Sequence, residues 1–376
     1  MTRGIPLAKS EGTASRQAHA DLPEGTYERE VGRDGFFGPA TQFHHRRKPT
    51  SWRRIEGPMR PRAFDAARAA DEAASPFAGT PLLGNEHLEV RLWRAREAMP
   101  ALARNADGDM LAFVHEGAGA LYCDYGHLDY REGDYVLLPR GTAWRIEPSE
   151  PSTFLLIEAS GDLLSVPERG LLGQQAIFDL ASLDTPRLDD AFRAQDGDRP
   201  WRIEVKRRGA LSTIEYPHNP LDAVGWHGTL MPVRLNWRDI RPVLSDRMHL
   251  PPSVHATFAC RQFVVCTFAP RPLEGDPGAL KVPFFHDNVD YDEMIFYHRG
   301  SFFSRDNIAP GWITVHPCGV THGPHPKAFA AGAKRSRANT DEVAVMIDSR
   351  APIEIGPLPQ GAEWEDYALS WREGGA

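Results

Sequence analysis

The chain has 376 residues, of which 41% are hydrophobic, enough to bury a large core and to form two domains. A formal net charge of -8 argues against nucleic acid and anionic membranes as partners, and no apolar run approaches the ~20 residues of a membrane span. The first residues lack the apolar core of a signal peptide, and the four cysteines form no metal or disulfide pattern, so we expect a cytoplasmic protein.

Residues 1–80 are rich in Gly, Pro, Arg and Ala and show little periodicity, which predicts an extended arm. Within it, residues 63–71 could form a short helix. The basic cluster at residues 44–48 could bind an anionic partner, but the acidic chain favours a solvated face or a subunit contact. An arm without a core of its own usually packs on a neighbouring subunit, so we expect a homo-oligomer.

From residue 82 to 159 short apolar runs alternate with Gly, Pro or charged turns, a pattern typical of β-strands. We therefore predict an N-terminal β domain over residues 81–245. One of its runs contains Gly133, Pro139 and Gly141 and ends at Trp144.

Residues 217–228 contain too many glycines and prolines for a helix or a central strand, so we predict an ordered loop. His218 and His227 lie in this loop. Hydrogen-bonded loop histidines are the commoner interpretation, and the sequence leaves their roles open.

Three candidate metal ligands, His286, Glu293 and His322, lie in the most informative part of the chain, residues 282–326. An alternating run from Glu293 ends at Gly300, which predicts a strand and a turn. A second strand-like run starts at Gly311 and precedes His322. The three side chains would converge if the two hairpins face each other in a small barrel.

The spacing of this second run, Gly311, Pro317, Gly319 and His322, resembles the complete second signature of the cupin barrel. Glu293 lies seven residues before a glycine, as in the first cupin signature, but only one of the usual two upstream histidines is present. The remaining two His and one Glu form a facial triad with open positions, the arrangement used by non-haem Fe(II) oxygenases.

Residues 133–144 resemble the same signature, except that Trp144 stands at the position of the ligand histidine. The resemblance implies an all-β protein of two cupin-like (jelly-roll) barrels. The N-terminal barrel would be degenerate, and the C-terminal barrel, residues 246–376, would bind the metal.

A buried structural role is the alternative for these histidines, because a lone histidine in an aromatic-rich strand is more often a core residue than a ligand. Two observations favour a site. Three residues fall together on ligand positions, and nine of the fifteen histidines lie between His218 and His325.

The chain also resembles the homogentisate 1,2-dioxygenase family, a resemblance carried by residues 220–228, 249–253, 293–300 and 316–324. It implies an Fe(II) enzyme that opens the ring of homogentisate with O2, giving maleylacetoacetate, in tyrosine and phenylalanine breakdown. It also implies a trimer or a pair of trimers.

The resemblance assigns roles to individual residues. His286, Glu293 and His322 correspond to the iron ligands, and His249 to the acid–base histidine. His316 and His322 would contact the substrate. Phe302 stands where the family has a substrate-binding tyrosine, so a phenol hydroxyl that would hydrogen-bond the substrate is absent here.

Other functions remain open from the sequence. A gentisate-like or aminophenol-type ring-cleaving dioxygenase would use the same triad on a related substrate. The alternatives outside ring cleavage are an isomerase, a thiol dioxygenase and a cupin that only binds a sugar or a small acid. The role of His255 is also open.

Overall fold

The computed structural model describes residues 7–195, 197, 199–281, 283–302, 304–305, 307–333 and 338–372. Its strands up to residue 160 are β1 (Tyr27–Gly32), β2 (Ala40–His45), β3 (Arg62–Asp65), β4 (Asp71–Glu72), β5 (Leu83–Gly84), β6 (Leu88–Ala95), β7 (Leu102–Asn105), β8 (Gly108–Glu116), β9 (Ala118–Cys123), β10 (Gly126–Arg131), β11 (Asp134–Leu138), β12 (Ala143–Pro148) and β13 (Ser152–Ser160).

The later strands are β14 (Trp201–Arg207), β15 (Ala210–Tyr216), β16 (Val233–Asn236), β17 (Ala256–Ala259), β18 (Phe263–Phe268), β19 (Phe285–Asn288), β20 (Asp292–Arg299), β21 (Trp312–His316), β22 (Val343–Ser349) and β23 (Glu354–Ile355). The α-helices are α1 (Asp190–Ala194) and α2 (Pro326–Ala333). Short 3-10 helices cover Asp34–Phe36, Ala66–Ala69, Gly170–Leu172, Leu180–Ser182, Trp237–Asp239, Pro252–His255 and Tyr367–Leu369. The predicted all-β fold class is confirmed.

The N-terminal domain consists of two mostly antiparallel sheets with the strand orders β10-β9-β12-β7-β14-β15 and β16-β11-β8-β13-β6-β5-β23. Side chains from both sheets share one apolar core, as expected when alternate residues of each strand face inward. Trp144 lies in that core with its ring 6.2 Å from the ring of Trp93. The position of a cupin metal ligand is therefore filled by a packing side chain.

The C-terminal domain has a six-stranded sheet in the order β17-β18-β22-β20-β21-β3 and a three-stranded sheet in the order β19-β1-β2. Strand β20 is nearly all buried, and its two faces have different surroundings. Met294 and Phe296 pack in a core shared with the N-terminal domain, whereas Glu293, Ile295 and Tyr297 line a cavity. This alternation places the predicted glutamate inside the domain.

The two domains pack through the outer faces of their larger sheets. Phe113, Leu155 and Ile157 of the N-terminal domain belong to the same core as Phe296 and Val345 of the C-terminal domain. Tyr135 also forms a hydrogen bond of 2.8 Å with Thr267 across this interface. Strand β20, which carries the candidate metal ligand Glu293, thus packs against the N-terminal domain through the face opposite the cavity.

The described part of the predicted arm, residues 7–80, packs on its own chain. Strand β1 pairs in parallel with β19, so that Glu30 lies beside His286, and Arg29 forms a 2.8 Å ion pair with Asp287. Strand β3 extends the six-stranded sheet at β21. Because the arm's strands are short and two of them, β1 and β3, pair with distant strands of the C-terminal domain, its sequence shows little periodicity. Contacts of the arm with a neighbouring subunit stay a prediction.

The predicted helix over residues 63–71 is wrong. Residues 62–65 form strand β3, and one 3-10 turn follows. Ala63 and Phe64 are fully buried, and Ala63 is the register partner of Thr314. Alanine has a high helix propensity, but burial of this short apolar segment against the sheet overrides it.

A buried ion-pair cluster fixes the arm to the C-terminal domain. His19 is 1% exposed, with Nδ1 2.6 Å from a Glu28 oxygen and Nε2 2.7 Å from a Glu30 oxygen. Its ring stacks on Phe284 at 3.9 Å. Burial acts to lower the pKa of His19, but the hydrogen bonds and charges of the two glutamates more than offset it and raise this pKa to about 9.

We expect His19 to make stability depend on alkaline pH. Because the folded-state pKa is raised, the stabilisation is complete below the unfolded value of about 6.5 and is lost as pH rises through 9. The shift corresponds to about 3 kcal/mol. Urea unfolding should show that His19→Gln destabilises the protein strongly at pH 6 and much less at pH 9.5. An equal destabilisation at both pH values would contradict this role.

In the part of the chain that the structure describes, no helix is both long and apolar enough to cross a membrane.

Candidate active site

His286, Glu293 and His322 converge inside the C-terminal domain, with one potential ligand atom of each lying within 4.8 Å of the others. Strand β19 carries His286, β20 carries Glu293, and His322 follows the turn after β21. Two backbone hydrogen bonds between His286 and His322, of 2.8 and 3.0 Å, hold the histidines side by side. The structure therefore brings together the three residues that the spacing predicts.

Hydrogen bonds orient both imidazoles toward the glutamate. Nδ1 of His286 donates to the carbonyl of Phe284 at 2.9 Å, and Nδ1 of His322 donates to the carbonyl of Val320 at 3.0 Å. Because a carbonyl oxygen only accepts, each Nε2 is left with its lone pair. These two Nε2 atoms lie 4.0 and 3.8 Å from the same oxygen of Glu293.

Nε2 of His322 is buried and has no hydrogen-bond partner among the described residues. A buried nitrogen without a partner is costly unless something binds it. Two imidazole lone pairs and a carboxylate facing one point are a donor set that suits Fe(II) and keeps other coordination positions open. The residues present therefore fit a ferrous ion.

The charges of this cluster suit a metal as well. Burial, together with the nearby His322, lowers the pKa of His286 to about 3, so its imidazole is neutral. Burial acts to raise the pKa of Glu293, but the hydrogen bond from His316 and the adjacent His322 more than offset it and hold this pKa well below its ordinary value. Neutral imidazoles and an ionised carboxylate are the forms that ligate metals.

His316 supports the triad from behind. It is fully buried, with Nδ1 2.6 Å from the second oxygen of Glu293 and Nε2 3.0 Å from the hydroxyl of Tyr367. Its ring stacks on His322 at 4.9 Å. The structure thus gives His316 an orienting contact with Glu293, and neither His316 nor His322 is among the residues that line the cavity described below, so their substrate contacts stay predictions.

A cavity next to the triad has both apolar and charged walls. It is lined by His249, Leu250, Pro252, His255, Phe268, Arg271, Pro283, Phe284, His286, Glu293, Ile295, Tyr297, Ser304, Arg305, Gly323, Glu342 and Ala344. Apolar walls with a few convergent polar groups are typical of small-molecule sites.

Arg305 and Tyr297 are cavity residues that the sequence did not reveal. The Arg305 side chain is 7% exposed; its Nε donates to the Tyr297 hydroxyl at 3.1 Å, and its Nη2 lies 3.7 Å from Glu293. The position of Tyr297, four residues after Glu293 on a strand, is a signal that could have placed it on the same face. Arg305 follows an irregular turn, where no periodic pattern applies.

His249 lies at the wall of this cavity, as the resemblance implied for the acid–base histidine. Its Nδ1 is 2.7 Å from Oε1 of Glu274. Burial acts to raise the pKa of Glu274. The hydrogen bond with His249 and the electrostatic interaction with His249 more than offset it and hold this pKa below its ordinary value. An ionised Glu274 fixes the proton of His249 on Nδ1, which leaves Nε2 as the basic atom.

Phe302 is not among the cavity-lining residues. It is buried, and its ring packs edge-on against Tyr297 at 4.7 Å. Phe302 thus contacts Tyr297, a residue of the cavity wall, and its contact with the substrate stays a prediction.

The loop of residues 217–228 lies on the N-terminal domain. His218 and His227 are exposed, and Trp226 donates to the carbonyl of Tyr125 at 2.8 Å. Neither histidine belongs to the candidate metal cluster or lines its cavity.

Sequence models of known families match both domains. The model described as homogentisate 1,2-dioxygenase N-terminal matches residues 75–237, and the C-terminal model of the same enzyme matches residues 245–373. The chain belongs to the homogentisate 1,2-dioxygenase family. Membership agrees with the resemblance found in the sequence.

Relatives of this family differ in how closely they resemble the chain. A Saccharolobus solfataricus protein, named only provisionally as a dioxygenase, is 32% identical over 77% of this chain and 75% of its own length. Homogentisate 1,2-dioxygenase of Bradyrhizobium diazoefficiens is 28% identical over 71% of this chain and 62% of its own length. The chain thus spans less than two thirds of the Bradyrhizobium enzyme.

Solved structures show weaker similarity. A cupin 2 conserved barrel domain protein from Leptotrichia buccalis is 10% identical, with a TM-score of 0.34 over 76% of this chain and 95% of that chain. A cupin-2 domain protein from Shewanella frigidimarina is 16% identical, with a TM-score of 0.20 over 22% of this chain and 79% of that chain.

Proposed function

We propose that the protein is a non-haem Fe(II) dioxygenase that opens the ring of a hydroquinone-type aromatic acid with O2. The convergence of His286, Glu293 and His322 beside a cavity that also holds His249 carries this proposal. Family membership supports the reaction type. Homogentisate, which would give maleylacetoacetate, is the first substrate to test.

Several residues in and beside the cavity have roles in this proposal. The iron, bound by the triad, would supply a meeting point for the substrate oxygens and O2 and a path for electrons between them. His249 accepts a proton from a ring hydroxyl at Nε2, and Glu274 stabilises the resulting imidazolium. Phe284 and Ile295 exclude water from the ring. Arg305 offsets negative charge near Glu293.

A gentisate-like acid is the second candidate substrate. Its carboxylate would meet the same guanidinium groups in the cavity, those of Arg271 and Arg305, as the carboxylate of homogentisate. An aminophenol carries no carboxylate for the guanidinium groups of Arg271 and Arg305 in the cavity, which therefore favour an acid over an aminophenol.

The proposal is tested by oxygen uptake of the Fe(II)-loaded protein with homogentisate, gentisate, hydroquinone and 2-aminophenol. We expect one O2 consumed for each ring opened with at least one of the two acids, together with the absorbance of a ring-opened product. Binding of the acids without oxygen uptake would instead identify a cupin binding protein.

We expect Phe302→Tyr to change kcat/KM for homogentisate by less than about twofold, because Tyr297 separates the ring from the cavity. Iron content should stay the same. Steady-state kinetics of both proteins with homogentisate and gentisate provide the measurement. A gain of about tenfold, the value of one net hydrogen bond, would show that the residue faces the substrate.

We also propose that the protein is a homo-oligomer, a trimer or a pair of trimers. Strand β15 and the loop after it expose large apolar side chains, namely Leu211, Ile214, Val224 and Leu230. Exposed apolar patches of this kind mark contact surfaces. Light scattering should give a mass of at least three chains, and Val224→Asp should lower it. A monomer at micromolar concentration would contradict the proposal.

A further inference from the structure

His255 is a buried imidazole that the proposed reaction does not use. It is 7% exposed, lines the cavity, and has no hydrogen-bond partner for Nδ1 among the described residues. Its ring lies 5.0 Å from that of Phe268. A buried polar atom that faces a cavity without a protein partner points to a ligand group.

Arg271 and Glu342 line the same cavity, and each is 7% exposed. Nη1 of Arg271 donates to the carbonyl of Ala269 at 3.2 Å and lies 3.5 Å from Oε1 of Glu342. These are long contacts for a guanidinium, which carries five N–H donors. Arg271 therefore keeps donors for another acceptor.

These polar groups lie toward the end of the cavity away from the triad. Along the paired strands, Asp348 is opposite Glu293, and Ala344 is opposite both Tyr297 and Phe268. Four residues of strand separate Glu293 from Tyr297, about 14 Å. Glu342 comes two residues before Ala344, so its backbone lies beyond Tyr297.

We propose that His255 and Arg271 form a subsite for an anionic substituent, a carboxylate on the substrate ring. The ring would lie between this subsite and the triad, with its hydroxyl groups toward the triad. This inference deepens the proposed function, because it explains which ring substituent the enzyme selects.

The charges of the subsite favour a carboxylate over other substituents. An ammonium group would face the fixed positive charge of Arg271, and an apolar substituent would bury Arg271 and His255 without partners. Glu342 does not exclude an anion, since burial raises its pKa although Arg271 and Arg305 act against this. A protonated Glu342 can donate to a carboxylate.

The subsite is tested with probes that have no ring hydroxyl and so cannot be opened. Calorimetry of the anaerobic Fe(II)-loaded protein compares phenylacetate with phenylacetamide, which has the same shape without the charge. We expect phenylacetate to bind at least about tenfold more tightly, the value of one charge-assisted hydrogen bond. Arg271→Met should reduce this preference to less than about twofold. His255→Phe should weaken the binding of phenylacetate but not that of phenylacetamide.

Arg145→Met is the matched control, because Arg145 is another buried arginine, stacked on Tyr122 in the N-terminal domain. The Arg145→Met protein should prefer phenylacetate over phenylacetamide as strongly as the native protein does. If Arg271→Met does not fold, Arg271→Lys retains the charge and should keep part of the preference, while His255→Phe still reports on the subsite.

Equal affinities of the native protein for the two probes, or a preference that survives Arg271→Met, would overturn the proposal. These outcomes are distinct from failure of the proposed function. If the protein prefers phenylacetate but opens no ring, the subsite proposal stands and the proposed dioxygenase function fails.

Discussion

Glu293→Ala is expected to hold less than about one tenth of the iron of the native protein and to lower turnover at least about 10³-fold. Glu293 provides the only negative charge of the triad, and Arg305 lies 3.7 Å from it. Without the carboxylate, an Fe(II) ion would face two neutral imidazoles and an uncompensated guanidinium. Metal analysis after anaerobic reconstitution and oxygen uptake measure both effects.

Trp144→Phe is the control for this result, since Trp144 occupies the corresponding position of the N-terminal domain. It packs in an apolar core, so its replacement should leave the iron content unchanged. If Glu293→Ala retained all of the iron, the metal would bind at another site.

His249→Gln is expected to lower kcat by about 10²–10⁴-fold without changing the iron content. Glutamine can occupy the space of the imidazole but cannot accept the proton of a ring hydroxyl. Rapid mixing of the anaerobic enzyme–substrate complex with O2 isolates the chemical step from substrate binding. If His249→Gln retained more than half of the native kcat, His249 would be excluded as the base.

Glu274→Gln tests the positioning of His249 separately. Loss of the carboxylate destabilises the imidazolium, so kcat should fall by about tenfold and the acid limb of the pH–rate profile should move to lower pH. His127→Gln is a matched control, because His127 makes a similar 3.0 Å contact with Asp189 far from the cavity. An unshifted pH profile in Glu274→Gln would assign Glu274 a purely structural role.

The sequence could predict that the three metal-binding candidates lie close together, because much of their placement depends on local rules. A glycine-bounded strand fixes the face of Glu293, and the turn residues Pro317 and Gly319 fix the direction of His322. Trp144 could be placed in a core by the same spacing argument. In these cases a short segment determines both the position and the orientation of the side chain.

The remaining parts of the site depend on contacts between distant segments. Arg271, Glu342 and His255 meet because three strand ends come together, and no short-range pattern signals such a meeting. The arm was unpredictable for the same reason, since β1 pairs not only with the neighbouring β2 but also with β19, more than two hundred residues away. Residues 62–65 form a strand and Ala66–Ala69 only a 3-10 turn, because burial against the sheet outweighs helix propensity.

Isotope labelling tests the central claim of ring cleavage most directly. The Fe(II)-loaded protein is mixed with homogentisate or gentisate under oxygen-18 gas, and the product is reduced at once with borohydride to prevent exchange of its ketone oxygen with water. The account predicts a ring-opened acid that carries both atoms of one labelled O2 molecule. A product with a single labelled atom, or with none, would contradict a dioxygenase.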